Sequence, residues 1–302
     1  MDATWDMRYP LGACCPPVGD RAGTVAELEA VELQGSRSPR MNTLRTIKRA
    51  GARVASTLGV LPRLTDLFLY AKSRPWRHQN AGDAGGATLP PPILRSSSTG
   101  TTDVRWFLES GQLGAEVVRS ALCDQAFETA RILDFGCGCG RVARHVAGPG
   151  FVGVDWNAAA IRWCGNHLPG RFVVGGLEPP LALDDGARFE LIYAFSVFTH
   201  MPRELQIDWL RELTSRLDPS GTLLISTHGQ AFVGDLSPDE RALYDAGELV
   251  VREPVAAGTN VCAAYHPPES LAALLPAGWT IQQHVPEGAL GNPPQDLWVL
   301  GR

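Results

Sequence analysis

Between positions 134 and 155 the chain carries the residues best suited to hold a small ligand. Asp134-Phe135-Gly136-Cys137-Gly138-Cys139-Gly140-Arg141 follows a short apolar run and precedes a segment of helical spacing, and Asp155 ends the next apolar run. Alternating glycines permit a tight turn, let a ligand approach the backbone closely and leave amide groups exposed at a helix start. A carboxylate about 20 residues beyond such a loop, at the end of the second strand, can accept hydrogen bonds from two ribose hydroxyls. Loop and carboxylate together favour a nucleoside ligand, because no packing rule demands both at this spacing. The dinucleotide fingerprint G-x-G-x-x-G, which seats an anionic pyrophosphate, needs glycine at 141, where this chain has Arg141. Asp134 taken alone has a second reading, as a helix cap or a partner of loop amides.

Two histidines are candidate proton acceptors. His200 follows the fourth apolar run and His228 ends the fifth, which places both at the carboxyl edge of a sheet, where open α/β folds bind ligands. An unperturbed imidazole titrates near pH 6.5 and can take a proton at cellular pH. For each, the alternative is a histidine that merely bonds loop backbone. His266, beside Tyr265, is a third candidate. No carboxylate and histidine cluster at ligand spacing accompanies the fourth run, so no metal is expected. Cys14, Cys15, Cys123, Cys137, Cys139, Cys164 and Cys262 are odd in number and lack paired CxxC spacing, which reads as reduced thiols. Nothing basic is identifiable to make Cys137 or Cys139 reactive, and as small residues they fill the loop.

These residues need a scaffold of alternating strands and helices. Strand-like runs are Arg131–Asp134, Phe151–Asp155, Arg171–Val174, Leu191–Phe195, Gly221–Thr227, Trp279–Val285 and Gln295–Leu300. Helical spacing covers part of Leu113–Ala130, then Gly140–Val146, Asn157–His167, Pro202–Leu217 and Pro268–Leu275. Such interleaving predicts a parallel sheet with helices on both faces. The turn PEGALGNPPQ between the last two runs is too short for a crossover helix and predicts an antiparallel pair.

Outside this region the chain divides by composition. Residues 1–40 show no sustained period and are expected to be poorly ordered. Residues 41–80 read as a basic helical arm, an N-terminal extension in which Leu44, Ile47, Val54 and Leu58 recur at roughly helical spacing. From Arg37 to His78 ten bases face one acid, Asp66, a charge that suits contact with an anionic membrane surface or glycolipid as well as a solvated lid. Residues 81–100 form a Gly/Pro/Ser linker, and the main domain is expected over 101–302. The whole chain is acidic, 27 Lys and Arg against 32 Asp and Glu, which argues against a nucleic-acid binder. The start MDATWDM lacks the bases and apolar stretch of a secretory signal, and the expected location is the cytoplasm, with the arm allowing peripheral contact at the inner membrane surface.

The stretch ILDFGCGCGR followed by VGVDWN resembles the class I S-adenosylmethionine-dependent methyltransferases. FELIYAFSVFTHMP, WLRELTSRLDPSGTLLISTHG and the closing QDLWVL extend the resemblance from Leu89 to Arg302, and together they look like a bacterial subgroup often found in cell-surface glycan or glycolipid biosynthesis. The resemblance implies a Rossmann-like seven-stranded sheet of order 3-2-1-4-5-7-6 with the last strand antiparallel. It implies S-adenosylmethionine as cofactor, with Gly136, Gly138 and Gly140 along its methionyl part, Asp134 near its ammonium, Asp155 on its ribose and Trp156 beside its adenine. Cys137, Leu177 and Ser196 join the same cofactor set. After the third strand relatives place Asp or Asn for the adenine amino group, whereas this chain has Gly175-Gly176-Leu177, which leaves that contact to backbone or Glu178. The fifth strand departs as well, with Asp218-Pro219-Ser220-Gly221 in place of two glycines, a local change. The implied reaction is in-line transfer of methyl to an oxygen, less readily a nitrogen, of a small-molecule, sugar or glycolipid acceptor, with His200 or His228 as base. Two rivals stand beside it: a nicotinamide-dependent oxidoreductase on a related sheet, and a catalytically silent nucleoside-binding module.

Overall fold

The computed structural model describes residues 88–122, 129–254, 257–258 and 262–302. The segment 1–40, the basic arm 41–80 with its membrane expectation, and the first part of the linker lie outside the described residues.

Apolar runs long enough to bury both faces become the strands of one sheet. In chain order they are β1 (Ile132–Phe135), β2 (Phe151–Asp155), β3 (Arg171–Val174), β4 (Phe189–Ala194) and β5 (Leu217–Thr227). A short pair, β6 (Val250–Arg252) and β7 (Ala263–Tyr265), precedes β8 (Thr280–Val285) and β9 (Asp296–Gly301). The seven-stranded sheet runs β3-β2-β1-β4-β5-β9-β8, with β1 to β5 parallel and β9 antiparallel to both its neighbours. Setting aside the separate β6–β7 hairpin, this is the expected order 3-2-1-4-5-7-6.

The pleat sends alternate side chains into two cores. Leu133, Phe135, Ile192, Ala194, Leu223 and Ile225 pack with Trp209, Leu210 and Leu213 on one face. Ile132, Leu191, Tyr193 and Leu224 pack with Ala115, Val118, Ala143 and Val146 on the other. Helix α1 (Pro92–Thr99) packs its Leu94 against Phe107, Cys139 and Ala160, the helices that cover these faces include α2 (Val104–Ser120), α3 (Ala143–Val146), α4 (Ala158–His167) and α5 (Arg203–Ser215), and α6 (Pro238–Asp245) supports the hairpin. Among the described residues no helix is long and apolar enough to cross a membrane.

Several elements differ from their sequence-based bounds. Residues 92–99, read as linker, form α1, started by Pro92 at its first turn and closed by Gly100 in the left-handed conformation. The next helix begins at Val104 rather than Leu113, because Asp103 caps it by accepting the Trp106 amide at 3.0 Å. The helix expected over 140–146 shrinks to the four residues of α3 after a run of turns. Pro268–Leu275 holds only a 3-10 turn, Ala272–Leu274, and Leu275, which precedes Pro276, takes the extended backbone that a following proline favours. The capping box Ser237/Glu240 that starts α6, and the three-residue strands of the hairpin, had no periodic signal.

Helix α2 lies against the β1–α3 loop so closely that a Cβ on Gly111 would run into the carbonyl oxygen of Arg141, a backbone atom with little freedom to move. Gly111→Ala should therefore lower stability by about 1–3 kcal/mol, the range for overpacking. A denaturant midpoint equal to that of the wild type would show that the two segments do not meet in this way.

Candidate active site

The carboxyl ends of β1, β2, β4 and β5, the α1–α2 segment and the turn before β9 enclose one cleft of about 590 Å³. That volume falls within the roughly 300–1,000 Å³ typical of small-molecule sites. Of the expected site residues, Asp134, Gly136, Cys137, Gly138, Asp155, Trp156, Leu177, Ser196, His200 and His228 line it. Gly140 does not: a Cβ there would meet Leu168 and Cys164, so its glycine serves packing of the loop on α4. Gly176 and Leu177 reach the cleft, and Glu178 does not.

All three loop glycines have positive φ, 82° at Gly136, 52° at Gly138 and 80° at Gly140, a region that L side chains rarely adopt. The loop amides do not point outward as an anion cradle. Gly136 and Cys137 donate to the Val154 carbonyl, Gly140 donates to the Cys137 carbonyl, and Gly138 donates to Asp155 Oδ2 at 2.8 Å. The other oxygen of Asp155 accepts the Asn157 amide at 2.8 Å. The tip of β2 is thereby tied to the glycine loop, and each carboxylate oxygen keeps a lone pair for a ligand donor. Burial pushes the Asp155 carboxyl above its ordinary range, opposed by these two amides.

Asp134 is buried beneath the loop, where Tyr193 donates a 2.7 Å hydrogen bond to its Oδ2. Burial, with a smaller contribution from the Asp155 charge, raises its carboxyl to about 7, while Tyr193 and Arg141 pull the other way. Burial also raises Cys137, Cys139 and Cys164 above the ordinary thiol range, which keeps them protonated and unreactive.

Ser196, just past β4, has a φ of 58° although it is not glycine. Its amide donates to Ser226 Oγ at 2.7 Å, its hydroxyl lies 3.0 Å from Gln295 Oε1, and Ser226 donates to the same Gln295 oxygen at 2.7 Å. This strained serine is thus held by residues of β5 and of the turn before β9.

His200 and His228 face one another edge-on, ring centroids 6.4 Å apart. His200 Nδ1 lies 2.8 Å from the Cys262 carbonyl oxygen, which only accepts, so Nδ1 carries the hydrogen and Nε2 the lone pair. Burial holds His200 below the ordinary histidine range, partly offset by that carbonyl. His228 is lowered further, to about 4, first by burial and then by His200. Its Nδ1 is buried without a partner and its ring packs between Phe232 and Tyr265, at 4.2 and 5.4 Å. His266 is fully buried away from the cleft, which corrects its candidacy as a base.

Sequence reading missed Arg141 as an anchor, Trp209, Asn292 and Gln295 in the lining of the cleft, and Ser226, buried behind it, as the partner of Gln295 and of the Ser196 amide. Arg141 gave a signal, as the departure from the dinucleotide fingerprint, and so did Gln206 behind the cleft, as an amide within the buried stripe Gln206, Trp209, Leu210 and Leu213 of α5. Among the described residues no group of three or more His, Cys, Asp or Glu is placed to hold a metal ion.

The family model described as "Methyltransferase domain" matches residues 110–283, more than half of the chain. A ubiquinone biosynthesis O-methyltransferase of Caulobacter sp. (strain K31) is 29% identical over 180 residues, covering 57% of this chain and 67% of that relative. Among solved structures, magnesium protoporphyrin IX methyltransferase from Synechocystis PCC 6803 aligns with TM-score 0.48 and 16% identity, covering 79% of this chain and 98% of the other. The CcbJ methyltransferase from Streptomyces caelestis aligns with TM-score 0.46 and 17% identity, over 75% and 94%.

Asp134 gives this site a signature in stability. Its carboxyl titrates near 7 in the fold against 3.8 ordinarily, so the folded state binds more protons between those values. The stabilising contribution is complete below about 4 and is lost as pH rises through about 7, with a size on the order of a few kcal/mol. Asp134→Asn, which can still accept the Tyr193 hydroxyl, should lose less stability than the wild type across that interval. Parallel stability curves for the two proteins would contradict the assignment.

Proposed function

The chain belongs to the methyltransferase-domain family, and from that premise we propose that it transfers a methyl group from S-adenosylmethionine to an oxygen of a small organic acceptor, with His200 as the base. The observation that carries this reading is that one cleft joins the glycine loop, the buried Asp134 and the half-buried Asp155 to an imidazole whose Nε2 is unprotonated. The nicotinamide alternative loses its footing here, since the loop amides of Gly136, Cys137, Gly138 and Gly140 are already used inside the protein and do not cradle a pyrophosphate.

The residues present suit such a cofactor. Asp155 keeps acceptor capacity for ribose hydroxyls, Gly136 and Gly138 let Val197 and Ser98 close on the loop where a side chain would collide, and Trp156 and Leu177 add flat and apolar surface to the same cleft. Asp134, a carboxyl near 7, gains its charge when an ammonium group lies beside it. When bound, S-adenosylmethionine supplies an electrophilic methyl on a sulfonium, so the chemistry asked of the protein is alignment, exclusion of water and removal of one proton. Alignment of this kind is worth up to roughly 7–11 kcal/mol in well-oriented systems. His200, oriented by the Cys262 carbonyl, takes the acceptor proton at Nε2 and remains neutral until then because its burial disfavours the cation. Met201, Leu205, Phe195 and Trp209 give the same cleft an apolar wall. An oxygen acceptor is also supported by the O-methyltransferase name of the Caulobacter relative.

Two measurements test the reading. Asp155→Ala should weaken S-adenosylmethionine binding about ten- to a hundredfold, the loss expected for hydrogen bonds to a charged acceptor; unchanged affinity by calorimetry in a folded variant refutes the role of Asp155. Incubation of the protein with methyl-labelled cofactor and lysate fractions should label a small molecule, and with that acceptor His200→Ala should keep cofactor affinity while its rate falls about 10²- to 10⁴-fold. The acid limb of the wild-type rate profile should lie below about pH 6.5, because a lowered pKa keeps the imidazole unprotonated further into acid. A limb above that value, or a normal rate in the variant, removes His200 as the base.

A further inference from the structure

The geometry points to Gln206 and His266 as a positioning pair that locks the imidazoles of His200 and His228 into one rigid unit. Neither residue touches the cleft, and both are fully buried. Burying an amide and an imidazole among apolar side chains is costly unless their polar atoms are satisfied, so their bonds identify what they are for.

Gln206 projects from α5 into the turn that carries His200. Its Nε2 donates to the Phe198 carbonyl at 3.2 Å and the Met201 carbonyl at 2.9 Å, one on each side of His200. Two carbonyl partners fix the amide orientation and leave Oε1 as an acceptor. His266 Nε2 lies 2.9 Å from that oxygen, so it carries the hydrogen and the ring is a defined neutral tautomer. Its backbone reaches the other histidine: the His266 amide donates to the His228 carbonyl at 2.8 Å, beside a parallel bridge between His228 and Tyr265. The Tyr244 hydroxyl donates to the His266 carbonyl at 3.2 Å.

The chain of bonds therefore runs from the His200 turn through Gln206 and His266 to the end of β5. The hairpin closes it on the other side. The Cys262 carbonyl fixes His200 Nδ1, the Gly258 amide donates to the His200 carbonyl at 2.8 Å, and β7 leads from Cys262 to His266. Arg252, paired with Glu240 and bonded to the Tyr265 hydroxyl at 2.9 Å, staples the hairpin to α6. His266 is fit to hold its neighbours and unfit as a base, since its Nδ1 is buried without a partner and burial lowers the ring to about 3.

The inference rests on the reading of His200 as the base, and its test is chosen to separate the two. Long-range proton–nitrogen NMR of the histidine rings in the full-length protein should show His200 as a single Nδ1–H tautomer. In Gln206→Ala and in His266→Leu the His200 signal should lose that single form and become a tautomer mixture, and the His228 signal should shift. His266→Gln, whose amide can still donate to Gln206 Oε1, should restore the wild-type pattern at His200. Binding of S-adenosylhomocysteine, measured on the same samples, should stay unchanged, because the glycine loop and Asp155 are untouched. Unaltered His200 and His228 signals in either loss variant, or an Nε2–H tautomer in the wild type, overturns the pair. If Gln206→Ala fails to fold, the contrast between His266→Leu and His266→Gln decides the matter alone. Wild-type protein that shows the expected tautomers but binds no cofactor would instead defeat the methyl-transfer reading and leave the positioning pair standing.

Discussion

One guanidinium organises the floor of the cleft. Arg141 Nη1 donates to the Ser110 carbonyl at 3.0 Å and to the Gly291 carbonyl at 2.6 Å, and its Nη2 donates to Asn292 Oδ1 at 2.7 Å. Its plane lies 5.6 Å from the centre of the Trp106 ring. These partners come from α2 and from the turn between β8 and β9, segments far apart in sequence. Burial lowers the group to about 10, which still leaves it a cation at neutral pH, so its donors must be met by fixed acceptors. Asn292 then lies 3.3 Å from the Ser196 hydroxyl, and Ser196 with Ser226 lies on Gln295. The left-handed backbone at Ser196 persists because this network determines it from both sides. The last two strands, added at the sheet edge with β9 reversed, are needed for the site because the turn between them delivers the acceptors that Arg141 requires.

The residue that separates the loop from a dinucleotide fingerprint is the one that anchors it. Glycine at 141 would allow helix and strand to pack closely and leave amides free for a pyrophosphate. Arginine there reaches out to Ser110, Gly291 and Asn292, while the amides of Gly136, Cys137, Gly138 and Gly140 bond to Val154, Asp155 and Cys137 and the helix that follows is only four residues long. A short helix whose preceding amides are spent offers little positive field to an anion. The sequence departure at 141 thus has a structural consequence, a side chain that ties α2 to the turn before β9.

What was legible in the sequence was local. The apolar runs ILDF, FVGVD and FELIYA announced strands of a buried sheet, and the glycines with Asp155 announced the edge where the cleft lies, since each depends on nearby residues. The hairpin was not legible, because strands of three residues show no period and Val250 meets Tyr265 only through long-range pairing. Likewise Asn292 and Gln295 sit in a turn of which only the length could be read, and their meaning comes from Arg141 and Ser226 across the sheet. Residues 92–99 looked like linker from their serines and prolines, yet they form a helix whose Ser98 crowds Gly138. Burial of a polar side chain such as Gln206 in an amphipathic helix is the trace that long-range constraint leaves in a local pattern.

The low proton affinity of the two cleft imidazoles is consistent with the proposed chemistry once the timing of the proton is considered. A hydroxyl oxygen that forms a new bond to carbon becomes a protonated ether, a far stronger acid than the free hydroxyl. A base in this position need not ionise the hydroxyl beforehand. It must be unprotonated at neutral pH, lie within reach of the oxygen, and accept the proton as the bond forms. Burial meets the first condition by disfavouring the cation at His200, while the Cys262 carbonyl meets the second by turning Nε2 outward as the acceptor. A more basic histidine, paired with a carboxylate, would spend part of its time protonated and would place a cation beside a cofactor that is itself positively charged at sulfur. A neutral imidazole with a fixed tautomer, as at His200, avoids that repulsion, which is a reason for a site of this kind to bond its base to a carbonyl rather than to an acid.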